Sequence, residues 1–169
     1  DYTRTLAELL AVLLPDGAAG AISTLPLGWR TDVTGEGALA ACAVHMRELC
    51  DDLRRIEEQT GRCVHVDIEP EPGCALQGSG ELVQFFERHL DRGAARDVLA
   101  RYLRACHDVC HAAVCFEQQA DVLARYTAAG VRVGKVQVSS APQAQFVGGS
   151  AADALMLAAL REMAEPRYL

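Results

Sequence analysis

Five polar residues stand near the ends of short apolar runs where purely structural side chains would be apolar: Glu69, Asp108, Lys135, Gln137 and Ser139. Two carboxylates brought to one point can share a divalent cation or divide the labour of proton transfer. A lysine on an inward strand face is a candidate for Schiff-base chemistry. The alternative without chemistry is a buried ion network in which Glu69 or Asp67 pairs with Lys135 or Arg104. Buried ion pairs are poor stabilisers, which weakens that alternative without removing it.

The elements that must position these groups alternate. Thr3 to Leu14 places Leu6, Leu9, Leu10, Leu13 and Leu14 on one helical face and stops at Pro15-Asp16-Gly17. Gly20 to Leu25 reads as a strand, with a polar turn over Thr31 to Gly37. Ala38 to Thr60 carries Leu39, Ala43, Met46, Leu49, Cys50, Leu53 and Ile56 at helical intervals and ends at Gly61. Cys63 to Ile68 is a second strand closed by Pro70 and Pro72. Glu81 to Asp91 and Ala95 to Tyr102 read as helices separated at Gly93, and Leu103 to Asp108 as a third strand. Ala120 to Ala129, capped by Gly130, is a helix; Val131 to Ser139 is a fourth strand; Ala151 to Met163 closes the chain as a helix. Such alternation argues for a parallel sheet covered by helices, and four strands with their helices amount to half of a (β/α)8 barrel, which needs about 250 residues to close. A small open sheet of flavodoxin-like type is the other architecture with this order.

Strand periodicity sorts the polar residues. In Cys63 to Ile68 the residues Val64, Val66 and Ile68 share one face, while Cys63, His65, Asp67 and then Glu69 share the other. In the fourth strand the same alternation puts Arg132, Gly134, Val136 and Val138 on one side and Val131, Val133, Lys135, Gln137 and Ser139 on the other. The C-terminal ends of parallel strands are where a barrel keeps its active site, and Glu69, Asp108, Gln137 and Ser139 all fall near such ends. Trp29 and Arg30 follow the first strand's end, where a ring and a guanidinium suit a sugar or aromatic metabolite and equally suit a loop anchor.

Composition sets the outer limits. The 169 residues carry 16 Lys and Arg against 23 acids, a formal charge of -7, which repels a phosphate backbone and argues against nucleic acid as a partner. No apolar run approaches the roughly 20 residues of a membrane span, and a cytoplasmic protein is expected. The seven cysteines contain no C-x-x-C pair and read as reduced, buried fillers. His45 and His89 fall on charged helices and read as solvated; His65 and His107 read as packed. Glu71 can stand in for Glu69, and Gly148-Gly149-Ser150 is a helix N-cap or a weak phosphate loop.

The third strand's Cys106-His107-Asp108-Val109-Cys110-His111, preceded by Ile68-Glu69-Pro70, resembles the Asp-x-x-His of the xylose isomerase-like TIM-barrel superfamily of sugar isomerases and epimerases. By that resemblance Glu69 and Asp108 bind a divalent metal (manganese, magnesium or zinc), and His111 sits beside metal and substrate. The phrases Ile22-Ser23-Thr24-Leu25-Pro26-Leu27-Gly28-Trp29-Arg30, Glu69-Pro70-Glu71-Pro72-Gly73-Cys74, Gly134-Lys135-Val136-Gln137-Val138-Ser139 and Glu165-Pro166-Arg167-Tyr168-Leu169 resemble the EboE group of that superfamily. These are metabolite-traffic proteins encoded in bacterial clusters associated with moving a small-molecule precursor toward the cell envelope. The resemblance implies a chain covering about four βα units, lacking two strands at each end. It also implies Gln137 at the place of a metal-binding histidine, an amide being a weak ligand without charge, and a further carboxylate outside the chain. Three functions are thereby in view. The first is a metal-assisted isomerase or epimerase with Glu69 as ligand and base and Trp29, Arg30 and His111 at the substrate. The others are a non-catalytic barrel holding a sugar-like metabolite, and a Schiff-base enzyme using Lys135.

Overall fold

The structure, a computed structural model, describes residues 2–90 and 96–164. It is a mixed α/β fold built on a four-stranded sheet in the order β1-β2-β3-β4: β1 is Ala19–Thr24, β2 Cys63–Ile68, β3 Leu103–Asp108 and β4 Val133–Gln137. Every neighbouring pair is parallel, as the alternation of elements predicts. Helices α1 (Tyr2–Leu13), α2 (Gly35–Thr60), α3 (Ser79–Phe85), α4 (Arg96–Tyr102), α5 (Val109–Val114), α6 (Gln119–Ala128) and α7 (Ala151–Glu162) connect and flank the strands. A π-helical turn, Phe86–Leu90, continues α3, and α5 is a short helix that the sequence pattern did not announce. The break expected at Gly93, and the helix ends expected at Asp91 and Ala95, lie outside the described residues.

The core forms on one side of the sheet. Val64, Val66 and Ile68 of β2, fully buried, join Ala7 and Ala11 of α1 and Leu53 and Ile56 of α2 in one cluster. All seven apolar residues that the sequence assigned to the inner face of α2 belong to it or pack against it. Gly61 ends α2 in the left-handed region at φ 70, donating its N–H to the Glu57 carbonyl. On α1 the buried positions are Ala7 and Ala11; of the expected leucine face, Leu10 and Leu14 pack against the core while Leu9 and Leu13 are exposed. The cause is close approach. A Cβ on Gly20 of β1 would come within 2.7 Å of Leu10 and 2.8 Å of Leu14, so those two leucines pack onto the strand where it has no side chain.

The opposite face is concave. Ser23 on β1 and Lys135 on β4, the two edge strands, meet with Nζ donating to Oγ at 2.6 Å. In a flat sheet three strand spacings would hold those backbones roughly 14 Å apart, so the sheet curls like half a barrel. The curl buries polar residues that a flat sheet would expose: Asp67 is fully buried, with His65 donating from Nδ1 to its Oδ1 at 2.7 Å.

β4 departs from simple alternation. Its register on β3 jumps from Ala105↔Val133 to Cys106↔Lys135, a bulge that leaves Gly134 unpaired. Val133 therefore packs toward the core cluster, whereas Lys135 makes its hydrogen bond on the concave side, so the two do not share a face as expected. The bulge is glycine because a Cβ there would lie 2.1 Å from Asp67 Oδ1. The strand is also shorter than Val131 to Ser139, ending at Gln137.

Candidate functional site

Two strand ends and one short helix build the site. Glu69 follows β2 directly, its N–H donating to the Thr24 carbonyl at 3.2 Å. Asp108, the last residue of β3, is the N-cap of α5, and its Oδ1 accepts from the backbone N–H of Cys110 at 2.9 Å and of His111 at 3.4 Å. That cap fixes the first turn of α5 and so presents Cys110 and His111 beside Asp108.

Gln137, the last residue of β4, lies between the carboxylates. Its Nε2 donates to Glu69 Oε1 at 2.6 Å and to Asp108 Oδ2 at 2.9 Å. The Ser139 hydroxyl donates to Asp108 Oδ1 and accepts from the Cys110 N–H at 2.9 Å. His111 Nδ1 faces the Pro70 carbonyl at 3.1 Å and Glu69 Oε1 at 3.6 Å. A carbonyl has no proton to give, so Nδ1 is the donor to Pro70. Glu69, Asp108, His111 and Gln137, with Ser23, Thr24, Leu25 and Glu71, line an open cleft of about 360 Å³ at the C-terminal edge of the sheet.

Their environments push the two carboxyl groups apart. Burial raises Glu69 above the ordinary carboxylate range, an effect that the Cys106 thiol and His111 only partly oppose. Burial acts in the same sense on Asp108, but the hydrogen bonds from Ser139 and Cys110 and the nearby His111 outweigh it and hold Asp108 at about 2. Asp108 is therefore held as the anion, and Glu69 is the one of the pair whose surroundings favour the protonated form.

Scanned against protein-family models and against curated proteins, the chain matches none. The site is accordingly read from its own geometry.

Of the residues singled out from sequence, the fold brings Glu69, Asp108, His111 and Gln137 together. Lys135 lies on the same concave side but is bound to Ser23, and no ion pair joins it to Glu69 among the described residues, so the Glu69–Lys135 network is not formed. Trp29 and Arg30 do not line the cleft. The Trp29 backbone bridges to Cys74 and its ring lies 3.6 Å from the position a Cβ on Gly73 would take; Arg30 binds the Cys74 carbonyl at 3.3 Å and Glu81 at 2.7 Å. They fasten the loop after β1 to the loop after β2. Glu71 reaches the cleft lining, its carboxylate 3.8 Å from the Cys74 thiol.

The remaining candidates are structural. His65 is the buried partner of Asp67, and His107 bonds Gln119 Oε1 at 2.7 Å behind β3. His45 is exposed beside Glu48. His89 is not solvated, as its charged helix had suggested: it is buried in the π-helical turn, 3.2 Å from Glu36, with its ring 5.7 Å from Phe85. Ser150 forms a capping box with Asp153 at the start of α7, so Gly148-Gly149-Ser150 is a helix cap. All seven cysteines are free thiols.

Sequence reading missed Cys110. Its Sγ, a ring nitrogen of His111 and a carboxylate oxygen of Asp108 lie within 4.8 Å of one another. The available signal was the spacing Asp108-x-Cys110-His111 at a strand-to-helix junction, where an N-cap brings the second and third residues of the helix back over the capping side chain.

Proposed function

We propose that the chain forms about half of a (β/α)8 barrel of the xylose isomerase-like type. Its cleft binds a small sugar-like or carbonyl metabolite together with a divalent cation and catalyses an isomerisation or epimerisation. The observation that carries this reading is the convergence of Glu69, Asp108 and His111 on one open cleft, with Glu69 raised and Asp108 held at about 2. Paired carboxylates of opposite protonation tendency beside an imidazole are what proton transfer next to a carbonyl needs.

The donor set fits a cation at Asp108 and Glu69, with His111 beside it, because two carboxylates bridged by only one neutral amide leave negative charge uncompensated. Gln137 does not fit as a ligand in its present orientation, since its amide nitrogen and not its oxygen faces the carboxylates. A bound cation would polarise the substrate's carbonyl or hydroxyl oxygen. Asp108 holds its negative charge at the cleft floor without taking a proton. Glu69 removes the proton from the carbon next to the carbonyl and returns it to the former carbonyl carbon, while the proton of the adjacent hydroxyl passes to the former carbonyl oxygen. The His111 Nε2 lone pair accepts from a substrate hydroxyl, its ring fixed by Pro70. Gln137 keeps the two carboxylates in register.

The test is solvent-deuterium exchange. With a manganese-loaded chain and a panel of aldoses and ketoses, mass spectrometry should find deuterium at the carbon next to the carbonyl, lost in Glu69→Gln and kept in His45→Ala. Exchange that survives Glu69→Gln contradicts the assignment.

The bridging amide of Gln137 favours a second reading, in which it takes the place of a cation altogether and the cleft holds and passes on a metabolite without turnover. Metabolite binding undiminished by chelator, with no deuterium uptake, is the outcome that selects it.

A further inference from the structure

The ligand that Gln137 cannot supply has a replacement one turn away on α5. We infer that the cation is held on one side by Asp108, Cys110 and His111, a carboxylate, thiolate and imidazole set that selects zinc or another thiophilic ion over magnesium and manganese. This rests on the reading of the cleft as a divalent-metal site and changes its ligands and its ion.

Three observations converge on it. The donor atoms of the three side chains already lie within 4.8 Å of one another. Donors about a zinc ion at the usual 2.0 to 2.3 Å bond lengths stand roughly 3.3–3.8 Å apart, so an inward movement of about an ångström closes the set. The first turn of α5 is also fastened before any ion arrives. Asp108 Oδ1 takes the N–H groups of Cys110 and His111, and Ser139 takes the Cys110 N–H as well, so the chain need not be ordered on binding. Finally, His111 gives its Nδ1 proton to the Pro70 carbonyl. Metal-binding histidines donate their second nitrogen in this way, which orients the ring.

The arrangement also disposes of the difficulty at Gln137. Its amide can keep bridging Glu69 Oε1 and Asp108 Oδ2 while the ion sits on the Cys110 side, so Glu69 remains free of the metal for acid–base work. Asp108 and His111 both line the cleft, so an ion held between them would be open to substrate. On binding, the thiol proton of Cys110 leaves to solvent and the sulfur enters as thiolate. Sulfur and imidazole ligands suit zinc, whereas magnesium and manganese favour oxygen donors throughout.

The test uses the metal-stripped full chain titrated separately with cadmium, zinc and manganese. Cadmium should give one equivalent of an ultraviolet thiolate-to-metal charge-transfer band, and X-ray absorption of the zinc-loaded chain should show one sulfur at about 2.3 Å. Cys110→Ser and Cys110→Ala should lose the band and bind zinc about tenfold or more weakly. Both should leave manganese binding unchanged, and Cys115→Ser should keep the band. Absence of sulfur from the zinc shell, persistence of the band without Cys110, or manganese bound as tightly as zinc would overturn the thiolate assignment while leaving an oxygen-ligated site intact. Failure of every cation to bind would remove the metal reading itself.

Discussion

At the scale of single residues, Asp108 does two jobs that mutation can separate. It caps α5 through its oxygen and carries the charge that a cation needs. Asparagine preserves most of the first and abolishes the second. Asp108→Asn should therefore unfold within about 1 kcal/mol of the parent while losing divalent-ion binding, whereas Asp108→Ala loses both cap and charge, the cap alone costing about 1 kcal/mol. The depressed Asp108 has a consequence for acid stability. A carboxyl held at about 2 in the folded chain, against an ordinary value of 3.8, stabilises the fold above the ordinary value and loses that contribution as pH falls from about 4 toward 2. Glu57, held at about 2 first of all by its hydrogen bond from Arg101, acts with the same sign and in the same window. Chemical denaturation measured at steps between pH 5 and pH 2 should show stability falling, with a shallower slope in Asp108→Asn; an unchanged slope would show that Asp108 is not held down.

At the scale of elements, much was legible because burial dictates pattern. The seven apolar residues of α2, and the Val64, Val66 and Ile68 face of β2, all reached the core. The concave location of His65, Asp67 and Glu69 followed from the same alternation. What was not legible came from contacts between distant segments. Nothing local distinguishes Leu10 and Leu14 from Leu9 and Leu13 in and just after α1; Leu10 and Leu14 pack where Gly20 of β1 leaves room. The bulge at Gly134 depends on a carboxylate of another strand, and with it the facing of Val133 and Lys135. Of the site, the strand-end carboxylates and Gln137 were visible as polar interruptions, and His111 through the Asp-x-x-His resemblance. Cys110 was not, because a cysteine reads as filler until the N-cap at Asp108 brings it beside Asp108 and His111. Gly134→Ala should destabilise by about 1–3 kcal/mol as its methyl meets the Asp67 carboxylate. In an Asp67→Ala background the same substitution should cost much less, and equal costs in a double-mutant cycle would mean that the bulge glycine serves something other than that close approach.

At the scale of the whole molecule, the sheet ends at β1 on one side and β4 on the other, and both edges are parallel strands with no further strand paired to them among the described residues. Val136 and Val138 are exposed beside the β4 edge, and α7 buries none of its residues while showing Leu155 and Leu157 to solvent. Unpaired edges flanked by apolar side chains recruit other strands. Light scattering of the 169-residue chain should accordingly find self-association that a charge placed at Val138 reduces, and a monodisperse monomer at high concentration would contradict the half-barrel account. No helix among the described residues is long and apolar enough to cross a membrane. The central claim is that strands from across this sheet deliver their polar ends to one metal-holding cleft, and its most direct test is isothermal titration of the metal-stripped chain with zinc and manganese. One ion per chain is expected, with binding abolished in Asp108→Asn, unaffected in His45→Ala, and accompanied by a rise in thermal stability, because the site exists only in the folded state. Titrations without heat for either ion, or binding that persists undiminished in Asp108→Asn, would contradict it.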